Sequence, residues 1–262
     1  MKFKIAILIL VCLALFTLSC HPQTIHLDPK KMSDKQLYDI GMKYLNDNDY
    51  ERARDAFKTV YENFPKSEYR ILARIGYADS YYKEGRDANW TLAIQEYQDF
   101  ISLFPFSPKA QYAQLQMGLC YYNMMEKPDR DQTQTKKAVD EFKKVLDNYP
   151  NGEYYKKAYE YLLKCYSSLA EHEFQIARYY ERTGRPMAAV ERIKALLKSY
   201  PESVHQPKYI YTLAKALQEL HQYPESCTYY EQFLKKWPTT DHVSDAKEAQ
   251  TKYCKGTNRA SQ

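Results

Sequence analysis

The sequence predicts an all-α protein, a superhelical solenoid of about five helix pairs closed at its C-terminal end by a capping helix. Three observations predict this. An aromatic residue followed by proline closes an amphipathic stretch at Pro65, Pro105, Pro150, Pro201 and Pro238. The intervals are 40, 45, 51 and 37 residues, within the range of helical repeats. Glycine is scarce (7 in 262 residues) while Ala, Leu, Lys and Glu abound, which favours helix over strand. Proline cannot continue a helix and disfavours helix in the residue before it, so each of these positions is a natural stop.

In the first unit, Leu37, Ile40, Gly41 and Tyr44 are followed by Ala53, Phe57, Val60 and Pro65. This resembles the tetratricopeptide repeat (TPR), whose paired helices carry a large residue, a Leu-Gly pair, a Tyr, then an Ala, a Phe and a terminal Pro. Gly41 lets the second helix approach closely, and Ala53 serves that contact from the other side. Gly41 to Pro65 spans 24 positions, as do Ala177 to Pro201 and Ala214 to Pro238. Unit two runs through Ala78, Tyr81, Gly85, Ala93, Tyr97 and Pro105, with extra residues over 86–90 expected to lengthen its inter-helix loop. Unit three has Gly118, Tyr121, Ala138, Phe142, Val145 and Pro150, with a longer insertion over 126–135. Unit four has Ala177, Tyr180, Gly184, Ala189, Ile193 and Pro201. No breaker interrupts 153–183, so its first helix is read as one long helix, or two in near-continuity. Unit five, with Ala214, Leu217, Ser226, Tyr230 and Pro238, keeps the pattern most loosely. Residues 241–254 then form the capping helix, which an exposed array end requires.

The N-terminus has a short basic segment, Lys2 and Lys4, and an apolar run from Ile5 to Phe16 that is short for a permanent span. Ser19 then precedes Cys20, which resembles a bacterial lipoprotein signal; Leu18 stands one place later than the usual pattern, where Thr17 sits. The resemblance implies cleavage before Cys20 and N-palmitoyl and S-diacylglycerol chains on it. His21, rather than Asp, at the next position implies the periplasmic face of the outer membrane. Acyl chains would supply the membrane affinity, because no other apolar run is long enough to insert. The expected organisation is a signal peptide at 1–19, a flexible linker at 20–33, units one to three at 34–150, units four and five with the long and capping helices at 151–254, and a disordered tail at 255–262.

Loss of the leader leaves 36 basic against 33 acidic residues, interspersed, a net charge of +3. No basic stripe follows, so nucleic acid is not expected as a partner. Phosphate-cradling glycine motifs, G-x-S-x-G and H-E-x-x-H are missing from the sequence, and its six histidines are scattered singly. No catalytic residue, metal site or cofactor other than the lipid is expected. Cys120, Cys165, Cys227 and Cys254 are too widely spaced for a zinc cluster. They can pair in three ways or remain buried free thiols, and the sequence leaves both open.

In an array of this kind the first helix of each unit lines a concave face. The repeat numbering places Tyr38, Met42, Ile75, Asp79, Tyr82, Leu115, Leu119, Tyr122 and Asn123 there in units one to three. It places Arg178, Glu181, Arg182, Lys215, Gln218 and Glu219 there in units four and five, with Phe174 and Tyr211. The first half is mostly aromatic and apolar, which suits an extended peptide. The second is mostly charged, which suits a folded partner.

The lipoprotein-like signal, the five repeats, the Asp129-Arg130-Asp131 loop and the Glu181-Arg182-Thr183-Gly184 turn together resemble the BamD family, outer-membrane lipoproteins of the β-barrel assembly machinery (BAM complex). The resemblance implies a scaffold without catalysis. It implies that the N-terminal repeats engage the aromatic-ended signal strand of unfolded outer-membrane substrates. The C-terminal repeats would dock on the periplasmic repeats of BamA, with Arg178, Arg182 and Arg192 as candidate contacts. The alternative is another periplasmic TPR adaptor lipoprotein, of the Tol–Pal or envelope-division type.

Overall fold

The computed structural model describes residues 27–254. The signal peptide, Cys20 and the tail from Lys255 lie outside the described residues. Eleven α-helices and no strand occur among those described: α1 (Asp34–Asn46), α2 (Tyr50–Asn63), α3 (Tyr69–Glu84), α4 (Asp87–Leu103), α5 (Ala110–Asn123), α6 (Thr133–Asn148), α7 (Tyr155–Arg182), α8 (Pro186–Ser199), α9 (Gln206–Glu219), α10 (Tyr223–Lys236) and α11 (Val243–Tyr253). Each helix packs on the next, and short connections make neighbours antiparallel. Five pairs and one closing helix result.

The aromatic–proline stops share one conformation. Phe64, Phe104, Tyr149, Tyr200 and Trp237 each cap a second helix with φ between −122° and −134° and ψ between 57° and 68°. The following proline excludes the helical region at that residue. Each cap still donates its N–H to the carbonyl four residues back, so the last helical hydrogen bond is kept although the cap itself leaves the helical region.

The constant distance of 24 residues also has a structural cause. Units one, four and five turn between their helices through the same three-residue link, with Asn48 (φ 60°), Gly184 (φ 76°) and His221 (φ 58°) in the left-handed region. In each, the residue after it donates its N–H back to the first helix: Asp49 to Tyr44, Arg185 to Tyr180 and Gln222 to Leu217, at 2.8, 2.9 and 2.9 Å. These are Schellman closures, which suit Gly and Asn best. Unit two differs from expectation. Residues 87–90 extend α4 instead of the loop, and only Gly85 and Arg86, both at positive φ, make the turn. The insertion of unit three is a loop, 124–132, pinned to α7 through His172, whose Nδ1 lies 2.6 Å from the Pro128 carbonyl. The long helix of unit four is a single helix of 28 residues.

Close helix approach rests on glycine under aromatic rings. A Cβ at Gly41 would meet the Phe57 ring at 2.7 Å, one at Gly76 the same ring at 2.6 Å, and one at Gly118 the Phe142 ring at 2.6 Å. Phe57 is thus held between its own unit and the next. In unit five the Ser226 hydroxyl donates to the Ala214 carbonyl at 2.7 Å, drawing α10 onto α9.

At the C-terminal end of residues 20–33, Leu27 and Met32 pack on the first unit's core. Of the cysteines, Cys227 and Cys254 form a disulfide that ties α10 to the end of α11, whereas Cys120 and Cys165 are buried free thiols.

Gly118→Ala should destabilise the protein by about 1–3 kcal/mol in urea unfolding, because overpacking against a buried ring outweighs the gain in helix propensity. Increased stability would contradict the ring-on-glycine contact. Reduction of Cys227–Cys254 should expose α11 to trypsin at Lys247 and Lys252 while α1 to α8 stay resistant. Unchanged α11 digestion would show that the disulfide does not hold the cap.

Candidate functional site

The first helices of units one to three carry a run of aromatic contacts. Tyr38 lies 5.3 Å from Tyr69 and 5.8 Å from Phe57, ring to ring, and Met42 packs in the same cluster. Asp79 accepts hydrogen bonds from the hydroxyls of Tyr97 and Tyr112, the latter at 3.0 Å. Burial raises the Asp79 pKa, and the two tyrosine bonds oppose that rise. Burial raises the pKa of Tyr38, Tyr112 and Tyr154, groups from three different units, and the Asp79 charge adds to each rise. Burial raises the Tyr82 hydroxyl, which a hydrogen bond with Asn123 partly offsets. Tyr122 packs edge-on against Tyr161 of α7 at 4.8 Å.

The structure therefore brings Tyr38, Asp79, Tyr82, Tyr122 and Asn123 onto one aromatic surface, but it moves others inside. Leu115 is 0% exposed and, like Leu119, belongs to the core around Phe142; Ile75 lies in the core around Tyr97. The reason is that α5 is enclosed from Ala113 to Cys120 by α3, α4, α6 and α7, so its apolar residues have no free face. Tyr69, Tyr112, Tyr154 and Tyr161 were missed by the repeat numbering. The first three share a signal: an aromatic within a few residues of where a first helix begins after its proline.

The second region is a cavity of about 470 Å³ between α7, α9 and the loop before α11. The predicted residues Phe174, Arg178, Glu181, Tyr211 and Lys215 line it together. Lys208 lies over the Phe174 ring at 4.6 Å while paired with Glu171 at 2.9 Å. His242 closes one side, stacked on Tyr211 at 4.3 Å. Arg182 is exposed at the end of α7 and is outside the lining. Arg192 lies elsewhere, on α8, in a shallow depression lined also by Tyr180 and Tyr200. Its guanidinium is 2.5 Å from the Glu173 carboxylate, so its charge already has a partner within the chain.

Burial raises the Cys165 thiol to about 12 and raises Cys120 as well, so neither is a thiolate at neutral pH. The arrangement can offer aromatic surface and charge to another polypeptide.

A model of a family described as outer membrane lipoprotein, YfiO, matches residues 30–222. A tetratricopeptide-repeat model matches 209–240, which is α9 and α10, the unit whose sequence keeps the repeat most loosely. The outer membrane protein assembly factor BamD of Caulobacter vibrioides is 32% identical over 182 residues, 69% of this chain and 58% of that relative. Its namesake from Neisseria meningitidis is 26% identical over 228 residues, 82% of this chain and 84% of that relative. The chain therefore spans less than two thirds of the first relative and most of the second. Among solved structures, the TPR2AB domain of yeast Sti1 with pHSP90 is 17% identical, with 83% of each chain covered and a TM-score of 0.46. With its paired helices and a match over most of its length, the chain belongs to the YfiO family of outer membrane lipoproteins.

Proposed function

We propose that the chain is a non-enzymatic scaffold of the outer membrane β-barrel assembly complex, taking part in assembly and insertion of β-barrel proteins. The names of its relatives support the assembly role. In this reading Cys20 carries the N-palmitoyl and S-diacylglycerol chains that hold the protein to the periplasmic face of the membrane. Residues 34–150 engage the aromatic-ended signal strand of an unfolded substrate. Residues 151–254 dock on the periplasmic repeats of a BamA-like barrel protein.

The observation that carries the reading is the contrast between the two surfaces. The first three units present partly exposed tyrosine rings, Tyr38 packed on Tyr69 and Tyr122 on Tyr161, with the carboxylate of Asp79 held beneath by Tyr97 and Tyr112. Rings of this kind are anchors for extended peptides. The last two units present Arg178, Glu181 and Lys215 around a cavity. Charges of both signs orient a folded partner more than they tighten it. Arg192 fits the docking role by exchange. Its pair with Glu173 is partly exposed on both sides, so a partner's acid can replace Glu173 at little cost.

Affinity purification of the tagged protein from detergent-solubilised membranes should recover a large β-barrel protein with periplasmic repeats. Recovery of Tol–Pal components in its place would support the other adaptor reading. The double variant Tyr38→Ala, Tyr82→Ala should weaken binding of an aromatic-ended strand peptide about tenfold or more, with the helical circular dichroism spectrum retained. Unchanged affinity would contradict the assignment of the aromatic surface.

A further inference from the structure

The antiparallel pairs place the start of every first helix and the end of every second helix on one edge of the array. Contacts across that edge run its length. Arg70 at the start of α3 lies over Phe104, which caps α4. Tyr112 of α5 packs on Tyr154, before α7. The Tyr159 hydroxyl donates to Glu202 at 2.7 Å, joining α7 to the loop after α8. Tyr211 of α9 stacks on His242, before α11. The chain also enters here: Leu27 and Met32 pack on the first core, and Asp34 is hydrogen-bonded by Ser67 of the loop after α2.

This edge carries most of the large apolar side chains that the fold leaves in water. Phe106, in the loop after α4, is 98% exposed; Val204, in the loop after α8, is 73% exposed; Leu103, the last residue of α4, is 61% exposed. Tyr155 and Tyr159, at the start of α7, are also exposed. Of the eight exposed large hydrophobic residues among those described, these five lie on the entry edge, while Met187 and Tyr179 lie near the opposite one. An all but fully exposed phenylalanine has no packing role within the chain. Clustered exposed apolar residues mark contact with a membrane or another protein.

We propose that this edge rests on the phospholipid leaflet, with Phe106 and Leu103 entering the headgroup region. Two facts choose lipid as the occupant. The family is one of outer membrane lipoproteins, and only residues 21–26 separate Cys20 from the described part, which begins at this edge. Leu27 is packed on the first core and Cys20 is 7 positions before it, so an extended tether reaches at most about 25 Å from the bilayer. Lys66, Lys109, Lys156 and Lys157 flank the apolar residues and can reach lipid phosphates along their stems. Glu68, Glu153 and Glu202 share the edge, so charge is nearly balanced and the attraction is chiefly apolar. The tether argument rests on the anchoring part of the reading above; the apolar edge does not.

The test uses the lipidated full chain in vesicles of phosphatidylethanolamine and phosphatidylglycerol with brominated acyl chains. An environment-sensitive fluorophore is attached through Phe106→Cys or, for comparison, Met187→Cys. Cys120 and Cys165 are buried and Cys227 is bridged to Cys254, so the new thiol is the reactive one among the described residues. The probe at 106 should shift to shorter wavelength and be quenched by bromine, and the probe at 187 should do neither. Vesicle-bound protein with an unquenched probe at 106 would overturn the proposal. A second measurement does without the anchor. In the mature chain with Cys20→Ala, Phe106→Ser with Leu103→Ser should reduce vesicle partition roughly tenfold, nearly independently of salt. Equal partition of the two proteins would also overturn it, whatever the fate of the anchor.

Discussion

The array depends on one contact, an aromatic ring of a second helix lying against the backbone of a first helix where glycine leaves room for it. Phe57 is pressed between Gly41 and Gly76, and Phe142 against Gly118. Both rings are fully buried. A single pair of short helices cannot bury its apolar face alone. The ring over Gly76 belongs to unit one while the glycine belongs to unit two, so the same contact that closes a pair also joins it to its neighbour. Unit five reaches a comparable closeness by other chemistry, the Ser226 hydroxyl on the Ala214 carbonyl.

Function follows from what this packing leaves over. Second helices spend their apolar faces on the core, and first helices keep part of their surface free, α5 chiefly near its C-terminal end at Tyr121, Tyr122 and Asn123. In the N-terminal half Tyr38, Tyr82 and Tyr122 are the partly exposed rings, beneath which Asp79 accepts from Tyr112 and from the buried Tyr97 of α4. Rigid rings in fixed positions lose little entropy when a peptide binds. In the C-terminal half the charges are already engaged within the chain, Lys208 of α9 with Glu171 and, in the separate depression on α8, Arg192 with Glu173. Such pairs can be exchanged for a partner's.

Backbone-level features were legible in the sequence because they depend on near neighbours. The five aromatic–proline stops, the constant 24-residue distance and the uninterrupted α7 each follow from local sterics. What depended on distant neighbours was not. Leu115 and Ile75 sit at groove-facing repeat positions, yet surrounding helices enclose them. Residues 87–90 looked like loop, but Gly85 and Arg86 suffice for the turn, and Asp87 begins a helix whose first turn favours an acid. The choice among cysteines needed the fold, because only the return of α11 onto α10 brings Cys254 to Cys227. Gly76 was overlooked as a packing residue because the ring it admits comes from the preceding unit.

The central claim is that one stacked helical array offers two separate polypeptide-binding surfaces. Amide hydrogen exchange of the same protein with each ligand in turn tests it most directly. An aromatic-ended strand peptide should slow exchange in α1, α3 and α5, and the periplasmic repeats of the barrel partner should slow it in α7 to α9. Overlapping protection by the two ligands, or protection in neither set of helices, would contradict the account.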